Sequence, residues 1–488
     1  MAYYVGIDIG TSSAKLTLID ENGTLLKEAS AGYRFEEPAP GYKEIDPATW
    51  MKAVDRAMTE LFSEKDPALV KGIGVTGQMH TLVLLDEAGE SIRPALMWND
   101  TRTADMVGTV KEQIRKLPSV SYIANIISTG SPAMNLLWVK EQEPEAYSRI
   151  HKFLIGPDYI VYRLTGSLQT DYCEASTSSL LDMNKKEWSG EIRQLFGFSP
   201  TIYPTIRGTN EIAGRILPEV AERYGFSEEV GVLVGTGDNP AAAISTGCFQ
   251  EKKPVISLGT SGVLMYPREA IDFEAKGKNI LFSFDGNETQ ILVQGVVQSC
   301  GSSMTWWMRD ILDTDNYEKE TNMDPAHLGE SNLLFFPHLT GDKTIYADPK
   351  LSGAFLGLRT ETSRRDMTIA VMEGIAYGFR QLTEVMKISK EQLKDLRITG
   401  GGSKNPVWMQ IFADVLNCSV CQFEAGAGAG YSMALCAAGV FGGASLERMI
   451  SRTVKVKACY QPREYNAKRY DENYQKYLRI YKALTYIN

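Results

Sequence analysis

Apolar runs broken by glycine mark the strands of this chain, and one such pattern is written twice. Tyr4-Val-Gly-Ile-Asp-Ile-Gly10 is an apolar run that ends in Thr11-Ser12-Ser13. A second strand pattern follows at once, Lys15-Leu-Thr-Leu-Ile-Asp20, closed by a turn at Glu21-Asn-Gly23. The same order returns at Val255-Ile-Ser-Leu-Gly-Thr-Ser-Gly262, followed by Val263-Leu-Met-Tyr266. Each copy predicts a tight hairpin, with the glycine turning the backbone at positive φ. Such a turn offers free N–H groups and hydroxyls, which together make a nest for phosphate oxygens. Two nests roughly 250 residues apart predict two similar domains facing one nucleotide.

Between and after the copies the pattern alternates between strand and helix. Residues 46–66 have helical spacing, with Asp46 as N-cap and Pro47 in the first turn. Helices are also predicted at 134–141, at 157–166 ending on Gly166, at 299–309 and at 365–387. The hydroxyl-rich stretch 170–178 reads as a loop and helix start at the rim of a cleft. Residues 336–358 read as a loop. Residues 248–253 are polar and read as a connector, which places a domain boundary near 247. The glycine-alanine stretch 424–430 leads into a small-residue helix at 432–439, and 465–487 reads as one helix, both assigned to the second domain.

Length fits this division, 1–247 and 248–488, at about 100–200 residues or somewhat more per domain. A hydrophobic content of 43% supplies both cores. No apolar run reaches about 18 residues, and the chain opens directly on a strand, so neither a membrane span nor a leader is expected. Seven scattered cysteines suit a reducing, cytoplasmic setting, not a disulfide framework. Cys418 and Cys421 form a lone pair with no second pair or histidine to complete a zinc site. A net charge of −9 argues against nucleic acid or an anionic membrane as partner.

The candidate chemistry sits at strand ends. Asp8 is the only charge inside its apolar strand. It is either a plain strand or turn aspartate, or a carboxylate holding Mg²⁺ through water beside substrate phosphates. Lys15 neutralises those phosphates or is simply solvated. His80, one of four histidines, lies in a Gly77-Gln-Met-His80 break between two buried strands, where a loop meets a ligand. Trp98-Asn99-Asp100 ends another strand. An aromatic face beside an amide and a carboxylate suits a sugar, with core packing as the alternative for Trp98. Gly235-Thr-Gly-Asp-Asn239 places Asp238 and Asn239 where a strand meets a small-residue helix. Asp238 is either a helix cap or a general base that takes the proton of an attacking hydroxyl. Gly400, Gly401 and Gly402, with Asn405, come between a strand and a helix and read as the wall of a nucleotide site. They form neither a Walker A loop nor a dinucleotide fingerprint.

Taken together, Asp8-Ile-Gly-Thr-Ser-Ser13, Gly77-Gln-Met-His80, Leu96-Met-Trp-Asn-Asp-Thr-Arg102, Gly237-Asp-Asn239, Leu258-Gly-Thr-Ser-Gly262 and Gly400-Gly-Gly-Ser-Lys-Asn405 with Gln410 resemble the FGGY carbohydrate kinases over essentially the whole chain. Within that family the Gln-Met-His and Trp-Asn-Asp stretches resemble the D-xylulokinases. Thr81, where those enzymes usually have glycine, and the 341–346 loop depart from the pattern. The resemblance implies an α/β fold of two ribonuclease-H-like domains, of the actin and hexokinase type, with a deep interdomain cleft. It implies ATP and Mg²⁺ and phosphorylation of D-xylulose. L-ribulose, L-fuculose and gluconate remain alternatives. A chaperone-like ATPase is a remote alternative, since no peptide-binding or helix-turn-helix module is visible. By the same likeness Asp238 is the base and Asp8 organises the metal. Met79, His80, Trp98, Asn99, Asp100, Asp238 and Asn239 face the sugar. Thr11, Ser12, Ser13, Lys15, Gly259, Thr260 and Ser261 take phosphate, and Gly401, Gly402 and Asn405 flank the adenosine. A homodimer is common among such enzymes, and no stretch here decides it.

Overall fold

The computed structural model describes residues 1–423, 428–453 and 455–485. The start of the glycine-alanine stretch and the predicted helix end at Ile487 lie outside the described residues. The chain forms two compact units, each assembled from separate stretches. Unit 1 comprises residues 1–245, 280–291 and 426–453, and unit 2 comprises 246–279, 292–425 and 454–488. The expected single cut near 247 therefore differs from the observed division, because two later stretches return to unit 1.

In unit 1, β1 (Tyr3–Ile9), β2 (Ser13–Asp20) and β3 (Leu25–Gly32) form an antiparallel meander. Then β4 (Val70–Gly77) pairs parallel to β1, and β5 (Ile212–Arg215), β6 (Gly231–Leu233) and the short β7 (Thr236–Gly237) complete the sheet. The order is β5-β6-β4-β1-β2-β3, with β7 beside β4. All of β1 except Asp8 is buried, which explains its unbroken apolar run. Helix α1 (Ala48–Leu61) covers one face with Trp50, Val54, Met58 and Leu61. Helices α2 (Tyr172–Thr177) and α3 (Asp238–Ile244) are short and lie near the strand ends.

The second sheet, most of whose strands lie in unit 2, repeats the plan. Its strands are β8 (Val255–Leu258), β9 (Gly262–Arg268), β10 (Lys278–Phe282), β11 (Gln290–Val297), β12 (Leu396–Thr399), β13 (Val420–Phe423) and β14 (Val456–Tyr460). They run β10-β11-β9-β8-β12-β13-β14. In both sheets a first strand has an antiparallel hairpin neighbour on one side. On its other side lie two parallel strands and an antiparallel edge. This is the ribonuclease-H-like arrangement that the resemblance implies. Helix α4 (Arg364–Val385) opens on a capping box, Ser363 Oγ accepting from Asp366 N and Asp366 Oδ2 from Ser363 N. Helix α5 (Pro406–Leu416) follows β12. The chain then gives α6 (Gly428–Gly442) to unit 1, where it packs on β1 and β4. It returns through β14 to α7 (Glu464–Tyr477) and α8 (Ile480–Leu484).

Several expectations are corrected. The hairpin glycines Gly10 and Gly259 do not use positive φ. At each, an added Cβ would crowd a carbonyl of the same turn, from Ser13 at 3.3 Å or Ser261 at 3.4 Å. The presumed connector contains a helix, Cys248–Glu251, with Cys248 and Phe249 buried. The 170–178 stretch is a strand end and a buried helix, not a rim. Residues 336–358 are not wholly loop, since Leu334–Phe336 pairs with Ala354–Leu356. The last predicted helix is two helices. Cys421 and Cys459, directly opposite on β13 and β14, are joined in a disulfide, against the expectation of reduced cysteines alone. Among the described residues no helix is long and apolar enough to cross a membrane.

Candidate active site

In unit 1 three neighbouring strand ends bring candidate site residues together. Asp8 on β1 is level with Thr76 on β4, and Thr76 is level with Thr236 on β7. The chain beyond β4 carries Gln78, Met79 and His80, and the chain beyond β7 begins with Asp238. Carboxyl ends of parallel strands are where α/β folds bind ligands. Burial and the nearby Asp8 carboxylate push Asp238 up to about 7. Burial raises Asp8 to about 6, while Lys15, opposite it on β2, pulls the other way. Two nearby, half-buried carboxylates favour a cation between or beside them. This fits Mg²⁺, which takes one or two carboxylates and fills its other positions with water and phosphate oxygens. Among the described residues no group of three or more acidic, histidine or cysteine side chains could hold a metal by itself.

The turn after β1 is pinned, not loose. Gly10 N donates to Ser13 O at 2.9 Å, Tyr33 N to Ser12 O at 2.9 Å, and the Tyr33 hydroxyl to Gly10 O. Ser13 thus belongs to the hairpin itself, while Ser12 is exposed. Trp98 is not a core residue. Its ring is partly exposed, and its Nε1 donates to Thr11 Oγ1 at 3.2 Å. Met79 is buried with Sδ 3.7 Å from Asn239 Nδ2. His80 adopts a left-handed backbone at φ 69°. Asn99 Oδ1 is buried without a hydrogen-bond partner, as are both amide atoms of Gln78.

Asp100 corrects the sequence reading. Its carboxylate takes Arg102 Nε and Nη2 at 3.0 and 2.8 Å, Arg102 N at 2.9 Å and Lys43 N at 2.6 Å. It is fully buried and fully engaged, so it shapes the loop and does not receive a sugar hydroxyl. Arg102 in turn bonds Glu44 and lies over the Tyr42 and Trp138 rings. Thr81 is buried, and its Oγ1 accepts from Trp98 N at 3.3 Å. The departure from glycine therefore braces the Trp98 strand end.

In unit 2 the second Gly-Thr-Ser turn, Gly259–Ser261, is exposed. The carbonyls of Gly259 and Thr260 accept from Gly301 N and Ser302 N at 2.9 and 3.0 Å. Beside it lies a cavity of about 820 Å³, lined by Thr260, Thr305, Tyr317, Gly401, Lys404 and Asn405 among others. That volume suits a nucleotide-sized ligand. Gly401 has open space where a side chain would be. Asn405 lines the cavity, but its amide is spoken for. Its Oδ1 caps α5 at Trp408 N, 3.0 Å away, and its Nδ2 donates to Thr321 Oγ1 at 2.7 Å. It builds the wall of the cavity, the role expected for it, with its side chain turned to α5 and Thr321. Sequence reasoning missed the cavity-lining Lys404, although it lies in the same glycine-rich stretch, and Tyr317, which carries no local motif.

A family model described as the FGGY family of carbohydrate kinases, N-terminal domain, matches residues 3–245, and its C-terminal counterpart matches residues 255–439. The chain belongs to this family. This FGGY kinase is 32% identical over 487 residues to the xylulose kinase of Bacillus subtilis (strain 168), covering 99% of this chain and 97% of that one. It is 33% identical over 498 residues to the xylulose kinase of Lactococcus lactis subsp. lactis (strain IL1403), covering 100% and 98%. A crystal structure described as a xyloylose kinase from Brucella ovis superposes with a TM-score of 0.90 at 30% identity, covering all of both chains. The FGGY kinase is accordingly an ATP-dependent sugar phosphotransferase.

Proposed function

We propose that this enzyme transfers the γ-phosphoryl group of ATP to the terminal hydroxyl of D-xylulose, giving D-xylulose 5-phosphate, in the cytoplasm. The observation that carries the chemistry is Asp238, a recessed carboxylate raised to about 7 at a strand end, with the Met79–His80 turn on the neighbouring strand end. A base of that strength can take a hydroxyl proton at neutral pH as the oxygen attacks phosphorus. Asn239, Met79, His80 and Trp98 hold the sugar so that its hydroxyl meets Asp238. Within unit 1, Thr11 and Ser12 present hydroxyls that can take phosphate oxygens. Within unit 2, the exposed Gly259–Ser261 turn offers hydroxyls of the same kind beside the cavity. Gly401 leaves space for the nucleoside in the unit 2 cavity, and Gly402, whose side-chain space Trp408 and Leu258 fill, continues the wall. Asp8 is the residue that would hold Mg²⁺, and Lys15 adds positive charge beside it. When bound, the metal neutralises phosphate charge. The rest of the catalysis is positioning, because phosphoryl transfer passes through a loose transition state.

D-xylulose is favoured over other sugars by full-length identity to enzymes named xylulose kinase. On this reading Gln78-Met79-His80 and Trp98-Asn99 line the sugar, and Asp100 holds the loop that carries Trp98-Asn99. The test is ADP release with ATP and Mg²⁺ against D-xylulose, D-ribulose, L-ribulose, L-xylulose, L-fuculose, gluconate and glycerol. D-xylulose is expected to lead by about tenfold or more in kcat/KM, roughly 1.4 kcal/mol. Asp238→Ala is expected to lower kcat by about 10²–10⁴-fold. Another sugar in first place would overturn the substrate, and wild-type turnover in the variant would overturn the base.

A further inference from the structure

Glu174 is the acidic side chain that the mechanism above does not use, yet it touches both arms of the sugar site. It lies on α2, whose first turn is fixed by Asp171 Oδ1 accepting from Glu174 N at 2.9 Å. Its Oε2 accepts from the backbone N–H of His80 at 3.3 Å. Its Oε1 is buried and has no hydrogen-bond partner. That oxygen lies 2.9 Å from where a Cβ on Gly237 would stand, and Met79 Cγ lies 2.5 Å from the same point. Gly237 is thus a glycine because the Glu174 carboxyl and Met79 occupy its side-chain space. One carboxyl group is wedged between the Met79–His80 turn and the residue before Asp238.

The backbone at His80 explains why such a wedge is needed. A non-glycine residue in the left-handed region is strained, by about 1–3 kcal/mol. It persists only where surrounding groups hold it. The His80 N–H finds an acceptor 94 residues away on α2.

We infer that Glu174 is a positioning residue for the sugar. It fixes the strained His80 turn against Gly237, and so sets the place of His80 and Asp238 together. The inference rests on the reading of His80 and Asp238 given above. Burial, followed by the neighbouring Asp171 and Asp158 carboxylates, holds the Glu174 carboxyl well above the usual range. A glutamine amide keeps a carbonyl oxygen that can accept from the His80 N–H in the place of Glu174 Oε2. Glutamine should therefore replace Glu174, whereas alanine should not. Aspartate, one methylene shorter, should fail to reach His80.

Steady-state kinetics of wild type, Glu174→Gln, Glu174→Ala, Glu174→Asp and Ser176→Ala test this, using whichever panel sugar the wild type prefers. Ser176 is the control for α2. Its Oγ accepts from Leu281 N at 3.0 Å and donates to Cys173 O at 3.0 Å, so its loss loosens the same helix without touching the turn. Glu174→Ala is expected to raise the sugar KM about tenfold or more and to lower kcat, with the ATP KM changed less than about twofold. Glu174→Asp should follow the alanine variant, and stays informative where alanine fails to fold. Glu174→Gln should return both constants to within about threefold of wild type, and Ser176→Ala should leave them within about twofold. Unchanged sugar kinetics in the alanine or aspartate variant would overturn the inference. So would an ATP KM that moves with the sugar KM, or a serine control that reproduces the effect. A preferred sugar other than D-xylulose overturns the substrate assignment and leaves this comparison standing. No turnover with any sugar overturns both.

Discussion

Glu373 shows how one buried carboxyl couples stability to pH. It lies inside unit 2 on α4, with Oε1 accepting from the Tyr470 hydroxyl at 2.7 Å and from Gly329 N at 3.3 Å. Burial raises it from its ordinary 4.5 to about 7. A carboxyl raised on folding gives its full stability below its unfolded value and loses it as pH rises through the folded one. The loss therefore falls between about pH 4.5 and 7, and amounts to roughly 3 kcal/mol by pH 8. Glu373→Gln keeps the acceptor and removes the charge. Its melting temperature relative to wild type is expected to be several degrees higher at pH 8 than at pH 5, at about 2–4 °C per kcal/mol. Equal differences at both pH values, by calorimetry, would rule the coupling out. Residue roles of this kind are only partly legible in sequence. Asp238 could be picked out because glycines and a small-residue helix flank it. Asp100 was misread because its partners are a cation two residues on and Lys43 N, 57 residues back. No local pattern shows that a carboxylate is already taken. Glu174 is opaque for the same reason.

The elements themselves were easier to read, because their periodicity is local. The two hairpins, α1, α4 and the strand-glycine-helix order at 396–410 follow from apolar spacing, although α1 starts one residue later than expected, with Pro47 and not Asp46 at its N-cap. What spacing cannot give is the partner of an element that is apolar all round. Helix α6 is buried from Ala429 to Ala438, so no polar face says which sheet it covers. The strand glycines supply that answer only once the fold is known. A Cβ on Gly6 would stand 1.8 Å from Gly430 O, and one on Gly74 would stand 2.3 Å from Met433 O. Both clashes are with backbone, so neither can be relieved by a rotamer change. Gly6→Ala is expected to destabilise unit 1 by about 1–3 kcal/mol or more, as overpacked cores do. Gly108→Ala is the contrast. It lies in the helix Ala104–Ile114 with nothing within 4 Å of the new methyl group, and should stabilise by about 0.5–1 kcal/mol. Denaturant unfolding of the two variants decides it. The same sign for both would mean that the close approach of α6 to β1 is not maintained in solution.

At the scale of the whole molecule the repeated plan was legible, and its discontinuity was not. Two copies of strand-Gly-Thr-Ser announce two domains of one kind. Nothing in them announces that the chain lends α6 to unit 1 after finishing most of unit 2. The consequence is testable with fragments. A fragment of residues 1–247 has every strand of the first sheet but lacks α6, and so leaves the buried face of β1 and β4 uncovered. An exposed apolar face of that size promotes association. The fragment is expected to aggregate, or to show far-ultraviolet dichroism without a cooperative melt. Joining residues 428–453 to it through a flexible linker restores the helix at high effective concentration. That longer fragment is expected to be monomeric or nearly so, and to unfold in one cooperative transition. The Gly6→Ala change should abolish the rescue, because the joined helix can then no longer seat on β1. A 1–247 fragment that folds cooperatively alone would show that the first unit ends where the sequence suggests, and that α6 adds nothing to its stability. A rescue that survives Gly6→Ala would show that the segment acts as a generic apolar cover and does not lock into the register seen in the fold.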